Sequence, residues 1–205
     1  GVRVVIPTRR RDTVTPLSVL PNVDVVRANV YDTDQLQTLM QGVDAVVNLA
    51  GVLHDAGEQK PYGYRFWKVH VNLLEKIVYA MRMADVKRLV HVSAIGAAKD
   101  APSGYLRSKH AGETVCEMAG EHLDVTIFRP SIIFGRKDAF LNVFASLINN
   151  LPIIPIIGED TKCQPVYVGD VANAMISSLL NMATFGKTYE LCGPKVYTTL
   201  ELEQY

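Results

Sequence analysis

The sequence predicts an α/β protein with a doubly wound parallel sheet, and three observations support this fold class. Short runs of apolar, mostly β-branched residues alternate with longer stretches in which apolar residues recur at helical spacing. The short runs are almost continuously apolar, as in strands buried on both faces. Alternating strands and helices favour parallel strands joined by right-handed crossovers, with an antiparallel α+β arrangement as the less favoured alternative.

Five strands are predicted, at residues 2–6, 23–26, 45–49, 88–92 and 125–128. We expect the first strand to end before Pro7, because proline has no N–H group to donate to a strand ladder. After Pro130 the alternation loosens, and Pro and Gly become frequent. We therefore expect a core domain at residues 1–130 and a smaller C-terminal lobe at residues 131–205, packed on the same sheet.

Four helices are predicted between and after these strands. The first helix follows a capping residue, Asp32. The longest covers residues 66–83 and repeats its apolar residues every four positions, and the next covers residues 105–118. The last covers residues 171–181, and Asp170 before it is interpreted as a helix cap rather than as a catalytic acid.

The composition excludes several classes of protein. The 21 Lys and Arg residues balance 21 Asp and Glu residues, which argues against a broad electrostatic grip on nucleic acid or on anionic lipid. No apolar run approaches the roughly 20 residues that span a bilayer, so no transmembrane segment is predicted. The 3 widely spaced cysteines argue against a disulfide framework and a structural zinc site, and no metal site is predicted. They favour a reducing compartment, and we expect a cytoplasmic location.

Candidate binding residues follow the predicted strands, because ligands of open parallel sheets lie beyond the carboxyl ends of the strands. Small residues among them let a flat ligand approach the backbone closely, although each one alone also fits a tight turn. In strand order these residues are Arg9 and Arg10, Asn29 and Val30, Ala50 and Gly51, Ser93 and Ala94, and Pro130.

The sharpest chemical feature is the pair Tyr105 and Lys109. Residues four apart share one helix face, so the phenol and the ammonium can act in one site. A lysine cation near a tyrosine lowers the pKa of the phenol, which then exchanges a proton with a substrate hydroxyl or carbonyl. By itself this spacing also fits an amphipathic surface pair.

Five motifs in family order carry a resemblance to the extended or atypical branch of the short-chain dehydrogenase/reductase superfamily, which includes NAD-dependent epimerases and dehydratases. They are DAVVNLAG at 44–51, HVSA at 91–94, YLRSK at 105–109, RPSIIFG at 129–135 and PVYVGDVA at 165–172. Segments 104–109, 134–138, 140–142 and 164–168 are similar to the nucleotide-binding accessory subunit family of respiratory complex I and its free-standing bacterial relatives. The resemblance covers nearly the whole chain and implies a Rossmann-like core.

The resemblance implies a nicotinamide dinucleotide cofactor, with Tyr105 facing the nicotinamide ring and Lys109 hydrogen-bonded to its ribose. Tyr105, Lys109 and Ser93 are the candidate catalytic residues. The implied partners are the dinucleotide, an unknown small-molecule substrate and a protein partner at a membrane complex, which would make the protein peripheral to the inner membrane. The cofactor-binding candidates are Arg9, Arg10, Asn29, Val30, Leu49, Ala50, Gly51, His70, Tyr105, Lys109, Pro130 and Ile133.

The chain departs from the family pattern at three places. It lacks a Gly-rich phosphate loop, so we expect the first strand and its loop upstream of Gly1. The resemblance puts Ala94 where active relatives carry Ser or Thr, and Ser93 lies one residue earlier. His70 stands where many relatives have Asn, which puts the usual proton relay in doubt.

The end of the first predicted strand points to NADP(H) rather than NAD(H). Sites selective for NAD carry Asp or Glu at this place, to bind the ribose 2′-hydroxyl. Here Arg9 and Arg10 follow the strand and the nearest acid is Asp12, and arginine binds phosphate oxygens in pairs. A solvated surface turn is the alternative interpretation of the arginines.

Two functions remain open from the sequence. One is an NADP-dependent oxidoreductase, epimerase or dehydratase acting on a hydroxyl or carbonyl group, which Tyr105 and Lys109 favour. The other is a non-catalytic dinucleotide-binding accessory or redox-sensing subunit, which Ala94 and the resemblance to the complex I subunit family favour.

Overall fold

The computed structural model describes residues 1–9, 17–55, 60–136, 138, 162–198 and 201. Its strands are β1 (Val4–Thr8), β2 (Val23–Arg27), β3 (Ala45–Asn48), β4 (Arg88–Val92), β5 (Asp124–Pro130), β6 (Ile133–Phe134), β7 (Lys162–Cys163), β8 (Val166–Tyr167), β9 (Lys187–Leu191) and β10 (Tyr197–Thr198). Its α-helices are α1 (Thr33–Met40), α2 (Tyr64–Phe66), α3 (Leu73–Met83), α4 (Gly104–Ala119) and α5 (Val168–Leu179). A π-helical segment (Trp67–Asn72) joins α2 to α3, and a 3₁₀ turn (Met182–Thr184) follows α5.

The main sheet has four parallel strands in the order β3–β4–β5–β9, and β1 and β2 form a separate parallel pair. Among the described residues, β1 pairs only with β2, and the other edge of β3 is unpaired. Val5 and Val47 on these two strands are 37% and 42% exposed. The parallel pairing and the alternation with helices confirm the predicted fold class.

Most predicted strands match the observed ones within two residues, but the predicted end of the first strand is wrong. β1 continues through Pro7 to Thr8. A proline is tolerated in a strand that lacks one neighbour, because its missing N–H is then not needed for a ladder hydrogen bond.

The predicted helices are all present, with two differences in detail. The stretch predicted as one helix at 66–83 begins at Tyr64 and contains the π-helical segment. Asp170 is not a cap: α5 begins at Val168 with Tyr167 as its N-cap, so Asp170 lies in the first turn, where its charge complements the helix dipole. Asp32 caps α1 as predicted, with its carboxylate accepting from the N–H groups of Asp34 and Gln35.

Two hydrophobic clusters lie on opposite faces of the main sheet. Leu89 belongs to the cluster under α1, α3 and α4, and its neighbour Val90 belongs to the cluster under α5. Successive strand residues point to opposite faces, so β4 is covered on both sides. This burial explains why the β4 sequence is almost continuously apolar.

The chain after Pro130 contributes to the main sheet and to two small pairs. β9 extends the main sheet beside β5 in parallel, while β6 pairs with β8 and β7 pairs with β10. The predicted boundary between a core at 1–130 and a lobe at 131–205 stays a prediction.

Candidate functional site

The predicted site residues lie at the carboxyl ends of the strands, with α4 beside them. Arg9 follows β1, Leu49 follows β3, and Ser93 follows β4. Pro130 ends β5 and Ile133 lies in β6. The N–H of Ile95 donates to the Pro130 carbonyl at 3.0 Å, which joins the loops after β4 and β5. Arg10 lies outside the described residues.

His70 joins the loop after β3 to α4. Its Nε2 accepts a hydrogen bond from the Val52 N–H at 3.0 Å, and its Nδ1 lies 2.8 Å from the Ser108 hydroxyl. The Val52 N–H can only donate, so Nδ1 carries the proton and donates to Ser108. Ser108 in turn donates to the Tyr105 carbonyl at 2.6 Å. Both nitrogens of His70 are therefore engaged by the protein, and no ring nitrogen is left for a proton relay in this arrangement.

Close packing around His70 fixes this contact between helices. A side chain at Gly112 would meet the His70 carbonyl oxygen at 2.6 Å, so only glycine fits where α4 crosses the π-helical segment.

Burial lowers the pKa of His70 to about 4, so the imidazole is neutral at physiological pH.

A second buried pair, Asn48 and His91, holds the start of the same loop. Asn48 accepts from the Ala50 N–H at 3.1 Å, and its amide donates to His91 Nδ1 at 3.1 Å. His91 Nε2 therefore carries the proton, and it has no partner among the described residues. Burial lowers the pKa of His91 to about 3. This pair fixes the backbone at Ala50 and Gly51, where a flat ligand would approach.

Tyr105 is held by aromatic neighbours and is protonated at neutral pH. Its ring meets His70 edge-on at 5.6 Å and Phe66 at 6.1 Å. Burial raises the pKa of Tyr105 above its ordinary value. The lowered pKa expected from the Lys109 spacing is therefore wrong for this structure, because desolvation of the phenolate dominates.

Lys109 is a buried cation with spare hydrogen-bonding capacity. Its side chain is 4% exposed, and its Nζ donates to the Val92 carbonyl at 2.6 Å. That is the only hydrogen bond it makes to the described residues, and an ammonium has three donors. Burial lowers the pKa of Lys109 to about 8, although the negative charge of Glu113 acts to raise it.

Glu113 balances the charge inside α4. It is almost fully buried and accepts two parallel bonds from Arg129 on β5, both at 2.7 Å. This fork locks α4 to β5 one turn beyond Lys109, and bidentate geometry of this kind is strong and specific. The carboxylate also favours the charged form of Lys109.

The hydroxyl of the candidate catalytic residue Ser93 is buried and has no partner among the described residues. Its neighbour Ala94 is buried as well. No described contact joins Ser93 to Tyr105, so its catalytic role stays a prediction.

Asn29 and Val30, which the family resemblance implies at the edge of the adenine, lie beyond β2. Asn29 accepts from the Tyr31 N–H at 3.2 Å through its side-chain oxygen, which orders the turn. Val30 packs against the core cluster under α1. No described contact connects this region to Tyr105 or Lys109.

Several residues that shape the site were not predicted to have a role. They are Asn48, His91, Ser108, Glu113 and Arg129. Asn48, His91, Ser108 and Arg129 fall inside the recognised motifs, and Glu113 lies four residues after Lys109 on the same helix face. The helical spacing of Glu113 was the one signal for it, whereas its partner Arg129 comes from a distant strand.

The model of the NAD dependent epimerase/dehydratase family matches residues 1–192 of the chain. The chain belongs to this family. Membership confirms the resemblance that the five motifs carried.

Relatives in the family include subunits of respiratory complex I. NADH dehydrogenase [ubiquinone] 1 alpha subcomplex subunit 9, mitochondrial, of Dictyostelium discoideum is 32% identical over 97% of this chain and 54% of its own length. The protein of the same name from Mus musculus is 35% identical over 85% of this chain and 45% of its own length. The epimerase/dehydratase chain thus spans about half the length of the curated relatives it matches.

Solved structures support the fold. UDP-glucuronic acid 4-epimerase of Bacillus cereus, in complex with UDP-glucuronic acid and NAD, superposes with a TM-score of 0.81 at 18% identity, over 98% of this chain and 74% of that one. A double mutant of the dTDP-glucose 4,6-dehydratase DesIV from Streptomyces venezuelae, with NAD bound, gives a TM-score of 0.78 at 22% identity, over 98% and 69%. These similarities confirm a Rossmann-like fold.

None of the helices that the structure describes is long and apolar enough to cross a membrane. No group of His, Cys, Asp or Glu in the described ranges is arranged to hold a metal ion.

Proposed function

We propose that this epimerase/dehydratase family chain binds a nicotinamide dinucleotide and supports oxidoreductase, epimerase or dehydratase chemistry on a hydroxyl or carbonyl group. The observation that carries the proposal is Lys109, a buried ammonium on the same helix as Tyr105 that uses one of its three donors among the described residues. Leaving donors unused in a buried site is costly unless a ligand accepts from them.

The described residues fit a dinucleotide at this edge. Ribose hydroxyls are suitable acceptors for the spare donors of Lys109. Ala50 and Gly51 present little bulk, and their backbone is fixed through Asn48 and Val52. When bound, the dinucleotide would supply hydride transfer, which no side chain of the protein supplies.

The protein itself would move the proton. Tyr105 is protonated at neutral pH, because burial raises its pKa, so it carries the proton that a substrate carbonyl oxygen would accept. In the opposite direction it would accept a proton as a phenolate.

We also propose that the dinucleotide is NADP(H) in preference to NAD(H). Arg9 follows β1 and is exposed there. An arginine at this strand end would bind a 2′-phosphate, whereas NAD-selective sites place a carboxylate there. Arg10 is the second candidate for this contact.

The test uses the natural full-length protein. Mass spectrometry after denaturation would identify any dinucleotide carried through purification, and NADPH oxidation would be followed against a panel of carbonyl compounds. With a confirmed substrate, Tyr105→Phe should lower turnover by roughly 10²-fold or more while cofactor affinity changes little. Unchanged turnover in Tyr105→Phe would remove the catalytic assignment, and absence of any dinucleotide binding would remove the proposal.

A non-catalytic role is the second candidate. His70 uses both ring nitrogens within the protein, and Ala94 lacks a hydroxyl. Relatives at 31–35% identity over most of this chain carry the names of respiratory complex I subunits. In this role the bound dinucleotide would stabilise an accessory or redox-sensing subunit, peripheral to the inner membrane. A dinucleotide that raises the melting temperature but is never turned over, together with co-purification with complex I subunits, would favour this alternative.

A further inference from the structure

The side chain of Lys68 lies over two tyrosine rings near the end of β2. Its Nζ is 4.9 Å from the centroid of Tyr31 and 5.9 Å from that of Tyr64. Lys68 is in the π-helical segment after β3, whereas Tyr31 follows β2. The contact therefore brings a cation from one part of the fold to the turn that follows Asn29 and Val30.

The aromatic faces hold this cation without neutralising it. A carboxylate partner would cancel the charge of an ammonium, but the ring quadrupole only attracts it. Among the described residues, neither Lys68 nor Arg9 forms an ion pair. Lys68 is half-buried, so its stem is packed while its charge stays available to an anion.

The charge of a second cation acts on the same tyrosine. Arg9 comes one residue after Thr8, whose carbonyl accepts from the Ala28 N–H at 3.1 Å, so the ends of β1 and β2 lie side by side. The charge of Arg9 opposes the effect of burial on the pKa of Tyr31. Arg9, which follows β1, and Lys68, in the π-helical segment, thus both contribute positive potential near the ring of Tyr31.

We infer that Lys68, held by Tyr31 and Tyr64, is a specificity-determining residue that supplies the second cation for the 2′-phosphate of NADP(H). The inference rests on the proposed function, which puts the 2′-phosphate beside Arg9, and on the adenine position that the family resemblance implies for Asn29 and Val30. A single exposed arginine gives modest discrimination, whereas two cations around one phosphate bind it from both sides. Tyr31 sets the position of Lys68 and is a positioning residue.

The experiment measures binding by the natural full-length protein. NADPH and NADH are titrated by fluorescence, and 2′,5′-ADP and 5′-AMP by calorimetry, since these fragments differ only in the 2′-phosphate. In Lys68→Met the stem is kept and the charge is lost, so affinity for NADPH and 2′,5′-ADP should fall about tenfold. Affinity for NADH and 5′-AMP should stay within about twofold.

Three further variants separate the charge from the packing. Lys76→Met is the matched control, because Lys76 lies further along the same helical run, where its charge acts on Asp32, and it should leave all four affinities unchanged. Tyr31→Leu should reproduce part of the loss, while Tyr31→Phe, which keeps the ring, should not.

The outcomes distinguish the inference from the proposed function. If the protein prefers NADPH and Lys68→Met does not change that preference, the inference is wrong and the proposed function stands. A protein that binds none of the four probes overturns the proposed function itself. Loss of 2′,5′-ADP binding in Lys68→Met with 5′-AMP binding retained supports both.

Discussion

The two ends of β4 each hold a buried cation, and the cations are used in different ways. At the amino end, Arg88 is 6% exposed and donates to the carbonyls of Leu179, Leu89, Asp124 and Ser178 and to the hydroxyls of Thr126 and Thr184. At the carboxyl end, Lys109 is 4% exposed and donates only to Val92 within the described residues. The comparison separates a cation whose donors are occupied by its own protein from one that uses a single donor within the described residues.

The physical basis of the difference lies in what surrounds each end. Arg88 meets the last carbonyls of α5, whose partial negative charge suits a cation, and its guanidinium stacks on Phe185 at 4.5 Å. Lys109 donates to one carbonyl and is influenced by the charge of the carboxylate Glu113, which is paired with Arg129. We infer that the amino end of the strand serves stability and that the carboxyl end serves binding, which agrees with where open parallel sheets bind ligands.

The largest effect is expected at Arg88. Arg88→Met keeps an apolar stem but leaves buried carbonyls and hydroxyls without a donor, so the free energy of unfolding should fall by roughly 3 kcal/mol or more. Chemical denaturation of the full-length protein measures it. Lys87→Met is the matched control, because Lys87 forms an exposed ion pair with Asp85 and should change stability by less than about 0.5 kcal/mol.

A smaller loss is expected at His70, which is polar but neutral. His70→Leu leaves the Val52 N–H and the Ser108 hydroxyl without their partner, at a cost of about 2 kcal/mol in unfolding free energy. Denaturation checks the loss, and faster amide exchange at Val52 would show that the loop has been released. Slow exchange at Val52 in the variant would contradict the positioning role of His70.

The pH dependence of stability should report Lys109 directly. Its pKa is about 8 when folded and 10.5 ordinarily, so between these values the unfolded chain holds a proton that the folded chain has released. Unfolding free energy should therefore rise with pH across this window, by at most about 1.4 kcal/mol per unit for one proton. The measurement is the difference in unfolding free energy between the unchanged protein and Lys109→Met as a function of pH. If this difference does not change from pH 8 to 10, the pKa of Lys109 is not lowered.

The smallest effect on stability at neutral pH is expected from Lys109→Met itself. The variant loses the hydrogen bond to Val92, but it no longer has to bury a charge, and these two effects oppose each other. Glu113 remains paired with Arg129, so the free energy of unfolding should change by less than about 1 kcal/mol. Dinucleotide affinity should nevertheless fall at least about tenfold, because the spare donors are lost. If Lys109→Met is as destabilising as Arg88→Met and binds normally, the contrast between the two ends of β4 is wrong.

Several parts of the fold could be predicted because short-range pattern decides them. β4 was predicted with its observed bounds, since its residues are buried on both faces and almost all apolar. The helix of Tyr105 and Lys109 was predicted within one residue at each end, and Ser103 caps it. The π-helical geometry at Trp67–Asn72 was not predicted. An α-helix and a short π-helix differ in which carbonyl each N–H bonds to, and the spacing of apolar residues over one or two turns does not distinguish them.

The sequence by itself determined the family, the parallel α/β class and the pair Tyr105 and Lys109, because these depend on local periodicity and on ordered motifs. Only the tertiary structure decided the state of these groups. Tyr105 keeps its proton because packing buries it, His70 loses its relay capacity because Val52 and Ser108 occupy both nitrogens, and Arg88 is saturated by residues up to 96 positions away. Protonation and hydrogen-bond satisfaction depend on the full environment of an atom, and distant segments supply most of that environment.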